Sequence, residues 1–322
     1  MSERVSINLC CYNGERYLAE TLSSIAVQDY PDWELVIVND GSTDGTDAII
    51  QRFMSAGLPI VYHAQENQGL GASRNTALAH SSGALIAFID QDDLWHSSKL
   101  SKQVPLFNDP TVGLVYCDAI FFNDSGQSKR YRAGDPPPTG RCFSLLLTDY
   151  RLSLPTVMIR KAAVDALSYP FDPRFNLIEE ADLFRRIAYH WNLAMVPQPL
   201  AKWRVHGGSW TWRRFHRFSE ETDMMLASYE SLWPDFRRRH ANDIAALKTQ
   251  VDVDAALHAI RCGRKSDARA LIAPHRHHSA KARLLFLGTL LPMPVLELLY
   301  RLKHRVTLTS PLPTVEADES PV

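Results

Sequence analysis

The chain has 322 residues, 45% of them hydrophobic, enough to bury one large core or two smaller ones. Its 35 Lys/Arg against 36 Asp/Glu leave a net charge of -1, so there is no global field to draw in nucleic acid, and no nucleic-acid partner is expected. The five cysteines, Cys10, Cys11, Cys117, Cys142 and Cys262, are odd in number and lack the two-residue spacing of zinc or redox motifs. They are expected to be reduced, mostly buried thiols.

The opening "MSERVSINLCCYNGE" has no cationic leader followed by a long apolar run, so no secretory signal is expected and the cytoplasm is the expected compartment. Short apolar runs then alternate with segments of helical period. Strands are predicted at Val5–Tyr12, Glu34–Asp40, Ile60–Ala64, Ala84–Asp90 and Gly113–Phe122. Helices are predicted near Arg16–Gln28, Asp44–Met54, Gly71–His80 and Ser97–Phe107. The runs "ELVIV" and "ALIAFI" are almost continuously apolar, which suits strands covered on both faces. The fold class expected is α/β, a doubly wound, mostly parallel central sheet with helices on both faces. A loop follows at "RYRAGDPPPTGR", then a strand at Thr156–Arg160, a helix from about Glu179 to Trp191, and a strand "NLAMV" leading into "KWRVHGGSW". From about Arg214 to Arg305 the pattern is helical, and "TSPLPTVEADESPV" reads as a disordered tail. The domain organisation expected is 1–213, 214–306 and a tail at 307–322.

In such sheets ligands gather at the carboxyl ends of the strands. The residues there are Tyr12-Asn13-Gly14-Glu15, Asn39-Asp40-Gly41-Ser42 and Asp90-Gln91-Asp92-Asp93. One aspartate could cap a helix beginning near Leu94. Three carboxylates in four positions repel one another unless a cation offsets them, and oxygen donors that leave room for phosphate oxygens favour Mg²⁺ or Mn²⁺.

Two stretches in order, "VSINLCCYNGERYLAETLSSIAVQDYPDWELVIVNDGSTDGT" and "ENQGLGASRNTALAHSSGALIAFIDQDDLW", resemble the front half of a glycosyltransferase family 2 enzyme with the GT-A fold. The likeness runs from about Val5 through "RVHGGS", roughly two thirds of the chain. It implies a nucleoside-diphosphate-sugar donor, UDP- or dTDP-sugars being favoured, and a glycan or lipid-linked glycan acceptor. By position, Cys11, Tyr12, Asn13 and Glu15 would line the nucleoside pocket and Asp40 would accept from the base. Arg74 would hold the diphosphate side, Asp90 would lie near ribose and metal, and Asp92 would be the direct metal ligand. In "FNLIEEADLFRRIAYHW" the family's general base maps onto Glu180, one methylene longer than the usual Asp. In "WRVHGGS" the resemblance assigns His206 to the metal or diphosphate site. The Q-x-x-R-W element of processive polymerases is missing, so one sugar per encounter is expected.

A helical wheel tests the base independently. At about 100° per residue, Glu180 shares a stripe expected to be buried with Phe184, Ile187 and Trp191, while Asp182, Arg185 and Arg186 form an opposite face expected to be solvated.

Charge is uneven along the chain. From Arg261 to Arg305 there are ten Lys/Arg against two acids. Within it, 281–305 is apolar between basic flanks, broken by Pro292, Pro294 and Glu297. It reads as a cationic amphipathic piece lying on the inner face of a membrane, or as a helix packed on protein. Other functions fit less of the sequence. "GLGASR" imitates a dinucleotide-binding turn, but it follows the third strand and carries Arg74 at the third glycine position, which argues against an NAD(P)-dependent oxidoreductase. A nucleotidyltransferase needs a glycine-rich basic loop where "CCYNGERY" stands. A catalytically inactive glycan-binding protein would bind donor without turnover.

Overall fold

The computed structural model describes residues 3–131, 138–206 and 217–292. Two compact units divide the chain, Met1–Val205 and His206–Val322.

The first unit is built on one mixed sheet of nine strands. In chain order these are β1 Val5–Cys11, β2 Trp33–Asp40, β3 Ile60–Gln65, β4 Leu85–Asp90, β5 Leu94–Trp95, β6 Val112–Phe122, β7 Ser128–Arg130, β8 Met158–Arg160 and β9 Asn192–Arg204. The main path runs β3-β2-β1-β4-β8-β6-β9-β5, with β7 paired to β6. The front quartet β3-β2-β1-β4 is wholly parallel. The short antiparallel β8 joins it to the parallel pair β6 and β9.

The apolar runs explain why the quartet is central. Alternate residues Val5, Ile7 and Leu9 pack on Leu18, Leu22 and Ile25 of helix α1 (Leu18–Ala26), while Val36 and Val38 meet Ala77 of helix α3 (Leu70–Ala79) on the opposite face. Helix α2 (Thr46–Ser55) contributes Ile50 to the larger core. The remaining helices are α4 (Lys99–Gln103), α5 (Phe143–Thr148), α6 (Lys161–Asp165) and α7 (Glu179–His190). The predicted helix Ser97–Phe107 is instead α4 followed by a 3₁₀ turn, Val104–Asn108, with Pro105 in its first turn.

Register fixes where the site lies. Cys10 is level with Asp90, Cys11 with Asn39 and Asp40 with Gln65, so the carboxyl ends of β1, β2 and β4 form one edge. On the other half, the parallel pairing of Phe122 with Arg204 brings the end of β9 to the same level as the end of β6.

The second unit is helical over its described residues: α8 Arg217–Leu232, α9 Phe236–Arg239, α10 Ala241–Arg261, α11 Lys265–Ile272 and α12 Ala280–Gly288. Val253, Ala256, Ile260, Ala268, Ile272 and Ala282 form its core. The His275 ring stands 2.6 Å from the Asp252 carboxylate and ties the turn after α11 to α10. No helix among the described residues is long and apolar enough to cross a membrane. The expected tail at 307–322, half of "RYRAGDPPPTGR" (132–137) and most of "WTWRRFHRF" fall outside the described residues. All five cysteines are free; Cys11, Cys117 and Cys142 are buried, Cys10 and Cys262 half-buried.

Candidate active site

Four segments meet at the strand-end edge. The first is the turn after β1. Asn13 takes a left-handed φ of 48°, and its amide donates to Ser42 Oγ at 2.9 Å while its own Oδ1 accepts from Thr43 N at 2.8 Å. Gly14 N donates to Thr46 Oγ1, Glu15 N to Asp44, and Gly45 N returns a bond to Glu15 Oε2 at 2.7 Å. This stitching satisfies the backbone of two loops at once and leaves the Tyr12 side chain exposed. Cys11 is buried below it, its thiol pKa driven up by burial.

The second segment is the turn after β2. Asp40 is buried, and its carboxylate accepts from Gln65 Nε2 at 2.8 Å, Gln68 N at 2.9 Å and Gly69 N at 3.0 Å. All three bonds shape the loop that launches α3. Gly41 next to it has φ +76°, and a Cβ there would stand 2.9 Å from Asn67 N, so glycine is required at this crossing.

The third segment is the acidic run after β4. Gln91 exchanges two 3.0 Å bonds with the backbone N and O of Tyr12, locking the acidic turn to the first loop. Asp93 does not cap a helix, because Leu94 and Trp95 form β5 instead. Its buried Oδ1 accepts from Arg204 N at 2.9 Å, and its Oδ2 has no hydrogen-bond partner among the described residues. Burial, then the neighbouring charges of Asp92 and Asp90, drive the Asp93 carboxyl well above its ordinary range. The Asp90 carboxyl is also raised, by burial and by Asp92, against the pull of Arg74.

The fourth segment is the start of α7, whose first turn holds Glu179, Glu180 and Asp182, favourable charges for a helix N-terminus. Arg74, on α3 and almost wholly buried, joins this helix to the acidic turn. Its Nη1 lies 2.5 Å from Glu179 Oε1 and 3.9 Å from Glu180 Oε2, and its Nη2 lies 3.2 Å from Asp90 Oδ1. Glu180 is the one residue from Glu179 to Ala188 that is not buried, its side chain 22% exposed. Partial desolvation of the carboxyl, which outweighs the 22% of the side chain left open, together with the charges of Glu179 and Asp90, overcomes Arg74 and raises the Glu180 pKa to about 8.

The wheel is corrected in two respects, the first being that Glu180, expected on the buried stripe, keeps its side chain 22% exposed. Phe184 and Ile187 are buried as expected, but so is the face assigned to solvent. Asp182 and Arg186 form a buried ion pair, and Arg186 also donates to the carbonyl oxygens of Tyr169 and Pro170. Arg185 donates to Leu146 O at 3.0 Å. The helix is wrapped on both sides, so polarity along it marks internal ion pairs, with no solvated stripe.

Sequence reasoning passed over Arg204 and Gln91. Arg204 sits between the rings of Tyr17 and Phe122, each 4.4 Å away, and donates to Asp92 O, Asp124 Oδ1 at 3.0 Å and Glu20 Oε2 at 2.5 Å. It clamps the acidic turn from the end of β9. The only signal was an arginine closing a strand in "WRVHGGS". His206, two residues on, is the first residue of the second unit.

The donor set suits a hard divalent cation. Asp90, Asp92 and Asp93 are offset by Arg74 and Arg204, and both arginines are shared with further carboxylates, Glu179 and Glu180 for one, Glu20 and Asp124 for the other. Among the described residues no three such side chains converge as a ready-made metal cage.

The glycosyl transferase family 2 model matches residues 6–166. WfgD of Escherichia coli, named a UDP-Glc:α-D-GlcNAc-diphosphoundecaprenol β-1,3-glucosyltransferase, is 28% identical over 167 residues, 52% of this chain and 64% of that protein, so the match spans just under two thirds of that relative. TuaG of Bacillus subtilis, a putative teichuronic acid biosynthesis glycosyltransferase, is 28% identical over 64% of this chain and 82% of its own. Among solved structures, S. aureus TarS 1–349 superposes with a TM-score of 0.59 at 19% identity, over 93% of this chain and 92% of that one. The mannosyltransferase PcManGT of Pyrobaculum calidifontis, in complex with GDP-Man and Mn²⁺, gives 0.62 at 20% identity over 95% and 82%. At those identities the structures establish a shared GT-A fold. With half of its length, residues 6–166, matched by the family model, the chain belongs to glycosyl transferase family 2.

Proposed function

We propose that the protein is an inverting transferase that moves one sugar from a UDP-sugar to a hydroxyl of a glycan or lipid-linked glycan, with Glu180 as the general base. The observation that carries this reading is the Arg74 bridge: one guanidinium reaches Asp90 at 3.2 Å on the donor side and Glu180 at 3.9 Å on the acceptor side. Acid turn and base thus stand within one side chain's span, which supports a donor and an acceptor held side by side between them. UDP is favoured because WfgD is named for UDP-Glc and TarS is solved with UDP and with UDP-GlcNAc. The diphosphoundecaprenol in the WfgD name supports a lipid-linked acceptor.

In this reading the loop of Cys11, Tyr12, Asn13 and Glu15 receives the nucleoside, with Tyr12 as its exposed ring. Asp40 acts chiefly by shaping the 65–69 loop, and its second oxygen retains a lone pair for the base. Asp92 would hold Mn²⁺ or Mg²⁺ with Asp90 beside it, and the ion would supply charge neutralisation for the departing diphosphate. Arg74 orients Asp90 and the start of α7, being too buried to serve as an open diphosphate clamp. Glu180 accepts the proton of the acceptor hydroxyl as that oxygen attacks the anomeric carbon; its raised pKa makes it a competent base near neutral pH. The catalytic domain proposed is 1–213, followed along the chain by the helical region 214–306.

The deciding experiment is thermal-shift screening with UDP-, GDP- and dTDP-sugars, with and without Mn²⁺, followed by NMR of the product's anomeric configuration. Stabilisation by UDP-sugar and inversion are expected. A product that retains configuration removes Glu180 from the base role, and donor binding without any transfer or hydrolysis converts the reading to a binding protein.

A further inference from the structure

We propose that the face of α12 formed by Leu284, Leu287 and Leu291 docks on an anionic lipid bilayer. Seven large apolar side chains are exposed in the described residues, and four of them, Leu284, Leu287, Leu290 and Leu291, fall within eight positions. Leu284 is 71% and Leu287 53% exposed, so these side chains are largely uncovered by the described residues of their unit. The spacing 284, 287, 291 places three on one stripe of the helix and of the turn that continues it. The opposite face is fixed: Ala282 is fully buried, and Leu285 and Phe286 pack against the core of Val253, Ala256, Ile260, Ala268 and Ile272. The orientation of the leucine stripe is therefore set by packing, with no alternative in which it turns inward.

Charge selects the occupant. Lys281 and Arg283 flank the stripe on either side, Lys281 with its Nζ 3.6 Å from Asp254 Oδ1 of α10, and Arg276, His277 and His278 are exposed on the turn before it. From Ala268 to Leu296 the sequence contains no Asp or Glu. An aliphatic stripe inside a basic rim is complementary to acyl chains beneath anionic headgroups. A second copy would bring an identical basic rim against this one, which opposes a symmetric dimer through the same face. A helix of nine residues is too short to span, so the mode is one of lying at the interface. Of the 281–305 stretch, residues 293–305 lie outside the described residues, and the surface is drawn from 276–292 alone. The inference rests on the second unit and stands or falls independently of the donor and base assignments.

The test is flotation of the full-length protein with vesicles of phosphatidylcholine or of phosphatidylcholine mixed with phosphatidylglycerol. Recovery with the anionic vesicles alone is expected, reduced in about 0.5 M salt as screening shortens the reach of the basic rim. Leu284→Gln with Leu287→Gln should weaken partitioning roughly tenfold or more, without changing thermal unfolding, since both side chains are exposed. Lys281→Gln and Arg283→Gln should each cost roughly fivefold. Absence of flotation with anionic vesicles overturns the proposal. So does equal flotation of the double leucine variant, which places the contact elsewhere, and so does a dimer that the leucine substitutions dissociate, which assigns the face to a second copy.

Discussion

Arg74 and Glu179 form a buried ion pair across 105 positions of sequence, Nη1 to Oε1 at 2.5 Å, with each side chain about one-twentieth exposed. Burial works against the guanidinium charge, but Glu179, Asp90 and Glu180 surround it and hold it firmly protonated. Removing one partner strands the other in a low-dielectric site. Arg74→Met is therefore expected to destabilise the first unit by about 3–5 kcal/mol. Arg74→Met with Glu179→Met should recover much of that loss in urea unfolding while transferase activity stays low, because Asp90 and Glu180 lose their common brace. Full recovery of activity in the double variant would reduce the bridge to a packing element.

Glu180 makes the pH dependence specific. As a base it must be ionised, so kcat/KM is expected to rise with pH towards a limb near 8, the value to which burial raises it. Glu180→Gln should lower turnover by about 10²- to 10⁴-fold and flatten that limb. Stability has the opposite sign. The native carboxyl keeps its proton to about 8 while the unfolded one loses it near 4.5, so the native state binds more protons in that window and stability falls as pH rises through it. Glu180→Gln lacks this slope and should gain on the parent chain from pH 5 to about 8 in urea titrations. Equal slopes in the two chains would mean that the carboxyl ionises normally.

What the sequence makes legible is what lies close in the chain. "ALIAFID" ends in its own acids, so both the buried strand and the carboxylates at its tip follow from one run. The burial of Phe184 and Ile187 follows from helical period, though Glu180 on the same stripe is left partly exposed, and the GT-A fold expected from the family resemblance is the one found. Long-range pairings are not written locally. Nothing in "GLGASRN" says that Arg74 faces Glu179, and nothing in "KWRV" says that Arg204 reaches Asp92. Asp182 was misplaced for the same reason: its buried partner Arg186 is anchored by the carbonyls of Tyr169 and Pro170, which belong to a loop outside the helix period.

Arg204 offers a test of the clamp on the acidic turn. Lysine would keep the charge but lose the planar fork that serves Asp92 O and Asp124 together, and the stacking between Tyr17 and Phe122. Arg204→Lys is expected to cost about 2–3 kcal/mol in guanidinium unfolding, with the exposed Glu20 arm contributing least. The donor KM should rise about tenfold with a smaller change in kcat, as a looser turn raises the cost of ordering the donor site more than that of the chemical step. An unchanged donor KM would show that the turn holds its shape without the clamp.

Lys99 is a buried amine away from the chemistry. It is fully enclosed, with Nζ 2.7 Å from Gln103 Oε1 and 4.1 Å from the centre of the Trp95 ring. Burial lowers its pKa from 10.5 to about 8. Between those values the unfolded chain holds a proton that the native state has released, so this residue makes stability rise with pH across that window. The Cys10 thiol, pushed up to about 12 by burial, contributes a slope of opposite sign, and comparison with a Lys99→Met chain cancels it because both chains contain it. Methionine removes the desolvation cost of the amine but leaves Gln103 Oε1 without its donor, so the variant's stability at neutral pH reports the balance of the two. The pH trend is free of that ambiguity. Relative to Lys99→Met, the parent chain is expected to gain stability steadily from pH 8 to about 10.5, read as a difference in unfolding midpoints; parallel curves across that range would mean that Gln103 and the Trp95 face hold the ammonium charged despite its burial.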